Sequence, residues 1–261
     1  MLYGKYLAMN LRGVLEYRAS TWFLAVGQFL AAFFWFISLY LLFERFGSIA
    51  GWSFTEVALC FAVTNIAFAI AECFARGFDR FSAMIVHGDF DRILLRPRST
   101  VVQVIGSAFE ISRLGRVVQG LIVLFMVLPQ MDMIRTVPKA LTLIFMILGG
   151  AAVFTGLFVL GAVVCFFTVE GLEFINIFTD GGRELASYPL PVYGKWIQRF
   201  FTFIIPFGCV NYLPLMYLTD RITGGAGAAL YMVLPLVGFV FFACTLLVWR
   251  AGVRRYCSTG S

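Results

Sequence analysis

The spacing of its charges constrains this chain more than any motif does. No Asp, Glu, Lys or Arg occurs between Arg18 and Glu44, Glu56 and Glu72, Lys139 and Glu170, Arg199 and Asp220, or Arg221 and Arg250. Unpaired backbone groups are intolerable in hydrocarbon and a helix pairs its own, so about 20 apolar residues are what crosses a core of roughly 30 Å. By that ruler five hydrophobic blocks stand out. A sixth, 104–129, carries Glu110, Arg113 and Arg116 in its first half. It reads either as a span with a cytosolic helical extension or as a span with an internal ion pair, Glu110 and Arg113 being three residues apart. Only 13% of residues are charged, against about 25% in ordinary soluble domains. The expected fold is a single all-α integral membrane domain over 1–261 with six transmembrane helices.

The first 20 residues are interrupted by Lys5, Arg12, Glu16 and Arg18 and offer no small-residue cleavage site, so they do not read as a cleaved signal. Leu7, Leu11 and Val14 fall on one side of a helix and Lys5, Arg12 and Glu16 on another. Such a segment suits an interfacial helix in the headgroup layer, or an ordinary helical lead-in.

Basic residues set orientation, because cytoplasmic loops collect them. Assigning the N-terminus, 76–116 and the C-terminus to one side gathers 13 of the 20 Lys and Arg residues there. The expectation is a multi-pass protein of the cytoplasmic membrane with both termini in the cytoplasm. The net charge of +6 then reflects topology and attraction to anionic headgroups, and a nucleic-acid partner is not expected.

With that orientation, residues 76–100 form the first cytoplasmic loop, yet they are amphipathic where a plain connector would be polar. Phe78, Phe81, Met84 and Ile85 follow helical spacing, Gly88 breaks the helix, and Asp91 opens a second short turn that Pro97 ends. Exposed apolar residues there would ask for a partner; the alternative is that Phe90, Ile93, Leu94 and Leu95 lie against the chain's own helices.

Three stretches in order, GDFDRILLRP in this loop, SYPLPVYGKW before a proline-broken block, and GVRRYCSTGS at the end, make the whole chain resemble the six-span permease subunits of type-2 ABC exporters. The resemblance implies a half-transporter whose first cytoplasmic loop is a coupling helix seated in a groove of an ATPase. The residues that would carry coupling are Phe78, Phe81, Asp89, Phe90, Asp91, Arg92, Leu94, Leu95, Arg96 and Pro97. It further implies two ABC ATPase subunits and a second permease subunit, either another copy or a related paralogue. No GxxxxGK[ST] phosphate cradle occurs in the sequence. No cofactor is therefore expected in this chain, ATP and Mg belonging to the partner ATPase.

Residues 168–199 are the ambiguous element. Glu170, Glu173, Asn176, Asp180, Glu184 and Ser187 fall within about one third of a helix circumference, with Phe174, Phe178 and Leu185 opposite and Ile177 intruding. Either this is a cytosolic surface helix and 200–219 is the fifth crossing, or it is itself the fifth crossing and 200–218 is a re-entrant hairpin. We favour the second, because Pro206, Pro214 and Asn211 suit a bent hairpin buried in protein. Glu170, Glu173, Asn176, Asp180 and Glu184 then become substrate-pathway candidates for a cationic or polar cargo. The alternative is that these charges sit in water or pair with Arg183.

Ala152 and Gly156 in the fourth block keep one helix face small and predict a close helix contact, within the subunit or at a dimer seam. Of the five tryptophans, Trp22, Trp52, Trp196 and Trp249 fall near membrane interfaces, and Trp35 reads as core packing. Six cysteines without CxxC spacing read as small core hydrophobes. A single histidine, His87, leaves no metal site and no catalytic residue to nominate. Two other classes remain open: a membrane-embedded scaffold or accessory subunit without a transport pathway, and an ion-coupled transporter. The latter more often carries inverted repeats and mid-span charges.

Overall fold

The computed structural model describes residues 2–131, 136–168, 171–222 and 226–256, and among them the secondary structure is helical throughout apart from one bridge, Ile49 to Trp52. The helices are α1 (Leu2–Glu16), α2 (Arg18–Phe46), α3 (Phe54–Asp79), α4 (Phe81–Val86), α5 (Asp89–Leu94), α6 (Thr100–Ser107) and α7 (Leu114–Val127). They continue with α8 (Val137–Val164), α9 (Gly171–Ala186), α10 (Lys195–Phe203), α11 (Leu213–Leu218), α12 (Ala226–Val233) and α13 (Val237–Arg255).

Among the described residues, five helical stretches are long and apolar enough to cross a membrane: Arg18–Phe46, Phe54–Val86, Ile111–Met131, Val137–Val164 and Ala229–Arg255. A sixth passes only as a bent pair, Lys195–Phe203 with Gly208–Leu218, whose legs make an angle of 86°. The chain is an all-α, multi-pass membrane protein.

Two boundaries differ from the sequence expectation. The first helix ends at Glu16 rather than running to residue 20, because Tyr17 leaves helical geometry (φ −110°, ψ 49°) and α2 starts afresh at Arg18. The block 104–129 is not one helix with an extension. Ala108 and Glu110 are extended, so α6 is a separate element laid against α3 and α1, and the span begins at Ile111.

α3 is the centre of the bundle. Of its most apolar stretch 89% is buried inside the chain, against 17% for α2 and 22% for the last helix, and α7, α8, α6 and α9 all pack on it. Ser53 caps it, its hydroxyl accepting the Glu56 N–H while the Glu56 carboxylate accepts the Ser53 N–H at 2.8 Å. Helical geometry lapses at Ala75 (φ −118°, ψ 16°), and the carbonyl of Cys73 just before it accepts the Glu110 N–H at 3.3 Å.

α8 and α13 meet backbone to backbone. A β-carbon on Gly149 would sit 2.2 Å from the Pro235 carbonyl oxygen, and one on Gly238 would sit 2.2 Å from that of Gly149. Gly156, where a β-carbon would lie 2.9 Å from the Phe241 ring, continues the seam, and Ala152 is buried on the same helix. Gly149, Gly156 and Gly238 thus lie in a close contact between α8 and the segment that opens and forms α13. Lipid offers no hydrophobic drive between spans, so close van der Waals approach supplies the adhesion.

The bent pair is tied to the bundle by polar contacts. Asn211 donates to the Ala186 carbonyl (2.6 Å) and to Thr64 Oγ1 (2.9 Å), and Thr64 donates to the same carbonyl (2.9 Å). Its inner bend brings Phe207 within 4.9 Å of Phe154, ring to ring. Its far end returns to the start of α8, where Lys139 Nζ lies 2.7 Å from Asp220 Oδ2.

Candidate functional site

Two features of the bundle could do work: the α4–α6 loop at one end and a polar cavity beside α9.

The loop is built as the sequence spacing requires. α4 stops at Val86, Gly88 takes the left-handed conformation at φ 70°, and α5 follows at once, two residues earlier than expected. A side chain at Gly88 would strain that turn. Phe78, Phe81 and Phe90 are fully buried, so these three of the ten coupling candidates do not offer a surface to another protein. Together with Phe166 and Trp249 they form one aromatic knot. Ring centroids lie 4.9 Å apart for Phe81 and Phe90, and 5.0 Å for both Phe81–Trp249 and Phe78–Trp249. Tyr256 closes it 5.1 Å from Phe90. Edge-to-face pairs of this kind add about 0.5–1.5 kcal/mol each beyond simple burial. Burial raises the Tyr256 phenol above its ordinary pKa, and the Asp91 carboxylate adds to the rise.

The remaining candidates point outward. Leu95 is 85% exposed and Leu94 is exposed; Asp89, Arg92, Arg96 and Pro97 are exposed with them, while Asp91 is half-buried. The outward strip is held from behind by Gln103, whose amide donates to the carbonyls of Ile93 and Arg98 (both 3.3 Å), and by Trp249 Nε1 donating to Thr100 Oγ1 at 3.2 Å. α1 braces the same end: Asn10 donates to the Gly106 carbonyl at 3.0 Å and Arg96 reaches the Tyr6 hydroxyl at 3.4 Å.

Above the loop lies an ionic belt that sequence reasoning found only in part. Arg113 Nε bonds Glu110 Oε2 at 2.9 Å, the pair expected from their spacing. The larger partner is Glu72 on α3, whose oxygens meet Arg116 Nη1 at 2.7 Å, Arg113 Nη1 at 3.1 Å and Arg76 Nη1 at 3.6 Å. Arg76 also pairs with Asp79, and Arg80 with Glu110. Gln28 of α2 accepts from Arg116 at 2.7 Å, so the belt joins three helices. The i,i+4 spacing of Glu72 and Arg76 was the visible signal; nothing local announces Arg116. Burial pushes the Glu110 carboxyl upward, but the Arg113 hydrogen bond and the charges of Arg76, Arg113 and Arg80 outweigh it and hold its pKa below the usual value.

The cavity, about 180 Å³, lies between α2, α3, α7 and α9. Of the acidic stripe, Asp180, Glu184 and Ser187 line it, and Asn176 is exposed on the same helix. Glu173 belongs to the first turn of α9, and Glu170 lies outside the described residues. Arg183 bonds Glu184 at 2.5 Å and holds its guanidinium 5.3 Å from the centre of the Phe68 ring, which Arg116 approaches from 5.5 Å. Trp35 lines the cavity and is 56% exposed, so it is not packed in the core. Trp249 and Trp52 are buried within the chain. Polar side chains within hydrocarbon are costly unless they face partners or water.

A family model described as "ABC-2 family transporter protein" matches residues 29–260. No curated protein matches the chain. No solved structure matches it either.

Proposed function

The chain belongs to the ABC-2 transporter family and is a permease subunit of an ABC transporter, and from that premise we propose that it works in export, driven by two ATPase subunits bound at the α4–α6 loop. A second permease subunit completes the assembly, in the cytoplasmic membrane and with both termini inside. ATP and Mg bind the ATPases, and this chain contributes force transmission and a path.

The observation that carries this reading is the division of the loop into a buried and an outward half. Leu94 and Leu95 offer an apolar contact flanked by Asp89, Arg92 and Arg96, while Phe81 and Phe90 key the same two turns into Phe166 and Trp249. A load applied to the outward half therefore reaches the ends of α8 and α13 as well as α3. An ATP-driven push can move cargo only if the two states of the bundle bind it differently.

In the same reading α9 is the fifth crossing and the bent pair a re-entrant hairpin. Phe207 at its inner bend meets Phe154, 17 residues along α8 from Val137, or about 26 Å at the helical rise. The hairpin then climbs back to Lys139 within 13 residues. Asp180 and Glu184 of α9 line the pathway, and a chemically furnished cavity favours a transport role over a scaffold.

The test is co-purification with a phosphate-loop ATPase and transport in vesicles after joint replacement of Asp91, Leu94 and Leu95. Loss of both with normal folding is expected. Intact ATPase association and transport would end the coupling assignment.

A further inference from the structure

The groups that line the α9 cavity leave one kind of chemistry unspent. Arg116 is held by Glu72 and Gln28, and Arg183 by Glu184 and the face of Phe68. The acceptors are not so engaged. Among the described residues Asp180 makes no hydrogen bond and no ion pair, and Arg116, whose charge it feels across the cavity, is already held by Glu72 and Gln28. Asn65 gives its amide N–H to the Phe61 carbonyl at 2.9 Å, which leaves its side-chain oxygen without a donor. The rest of the relevant wall is aromatic, Trp35 and Phe61, and aromatic faces attract cations. Pairing off the neighbouring ions gives the same answer: Glu72, Glu184, Glu110 and Asp79 each have an arginine, and Asp180 is the carboxylate left over.

We propose that this cavity binds an organic ammonium group, with Asp180 as its counter-ion, the Asn65 oxygen as a hydrogen-bond acceptor and Trp35 as an aromatic wall. The volume of about 180 Å³ suits an aminoalkyl headgroup with its tail leaving through the open side, and not a whole bulky amphiphile. The inference narrows the acidic stripe to one residue. It rests on the permease reading for its role, since the ammonium would be the cargo's recognition point.

The chain in lipid nanodiscs is titrated with octyltrimethylammonium, octylammonium and octyl sulfate by calorimetry, empty nanodiscs being subtracted. Saturable binding of both ammonium probes and none of the sulfate is expected. Asp180→Asn should weaken ammonium binding about tenfold or more, the worth of one ion pair of about 1.4 kcal/mol, and Asp180→Glu should keep most of it. Trp35→Leu should weaken the trimethylammonium probe about three- to tenfold, as loss of a cation–π contact does. Unchanged affinity in Asp180→Asn, or octyl sulfate binding as well as the ammonium probes, overturns the proposal. Vesicle transport with the ATPase separates the two readings. Asp180-dependent binding without ATP-driven movement sinks the permease role and leaves the ammonium site standing. ATP-driven transport without Asp180-dependent binding does the reverse.

Discussion

Arg221 holds its guanidinium carbon 3.9 Å from the centre of the Trp52 ring while bonding both oxygens of Glu56, at 2.8 and 2.9 Å, and the Gly51 carbonyl at 2.9 Å. One side chain thereby closes the end of the bundle remote from the α4–α6 loop, tying the segment after α11 to the cap of α3. A lysine cannot reproduce the planar fork or the stack. Arg221→Lys should cost about 1–3 kcal/mol, as charge-assisted bonds do, read as a lowered melting temperature in detergent. Glu56→Gln should lose a similar amount, and the double variant less than the sum. Full additivity would mean that the two side chains do not act together.

The glycine seam gives a sharper stability prediction. Gly149→Val or Gly238→Val must push backbone away from backbone, so either change should cost more than the about 1–3 kcal/mol of ordinary overpacking. Gly227, where an added β-carbon meets nothing within 4 Å, is the control, and Gly227→Ala should be close to neutral. Fluorescence-detected size-exclusion chromatography after heating compares the three.

Within the loop, the buried and outward halves should separate under mutation. Phe90→Ala empties the aromatic knot and should destabilise the chain by about 3–5 kcal/mol. Leu95→Ala removes an exposed side chain and should stay within about 0.5 kcal/mol of the parent while weakening capture of the ATPase. Equal loss of stability in both would place Leu95 against the chain's own helices.

Glu110 predicts a pH dependence. Its pKa in the fold is lowered from the usual 4.5 by Arg113, Arg76 and Arg80, which together overcome burial. A depressed carboxyl pKa means stability that is present above the unfolded value and lost as pH falls through the folded one. The melting-temperature gap between the parent and Glu110→Gln should therefore be constant at neutral pH, start to shrink near pH 4.5 and close below it. A gap that widened on acidification would reverse the sign.

What could be read from the sequence was whatever repeats along one helix or breaks one turn. Gly88 announces its turn because few other residues take a positive φ comfortably, and Asp180, Glu184 and Ser187 share a face by spacing alone. The misses are long-range. Glu72 finds Arg116 across 44 positions, and Thr64 finds Asn211 across 147. Neither pairing leaves a local mark. Phe78, Phe81, Met84 and Ile85 were visible as a helical apolar pattern, but the pattern cannot tell a partner's groove from the ring of Trp249. The break at Ala108–Glu110 was hidden for a related reason. The Glu110 N–H there finds the carbonyl of Cys73, beside the lapse of α3 at Ala75 and far away in sequence.

The contact of Gly149 with Pro235 and Gly238 has a mechanical corollary. Two rods touching main chain to main chain have no cushion of side chains in which to slip, so α8 and α13 travel as a single plank. α2 is fastened to α7 just as closely, a β-carbon on Gly115 lying 1.9 Å from the Ala25 carbonyl oxygen, so sliding at either seam would drive main chain against main chain.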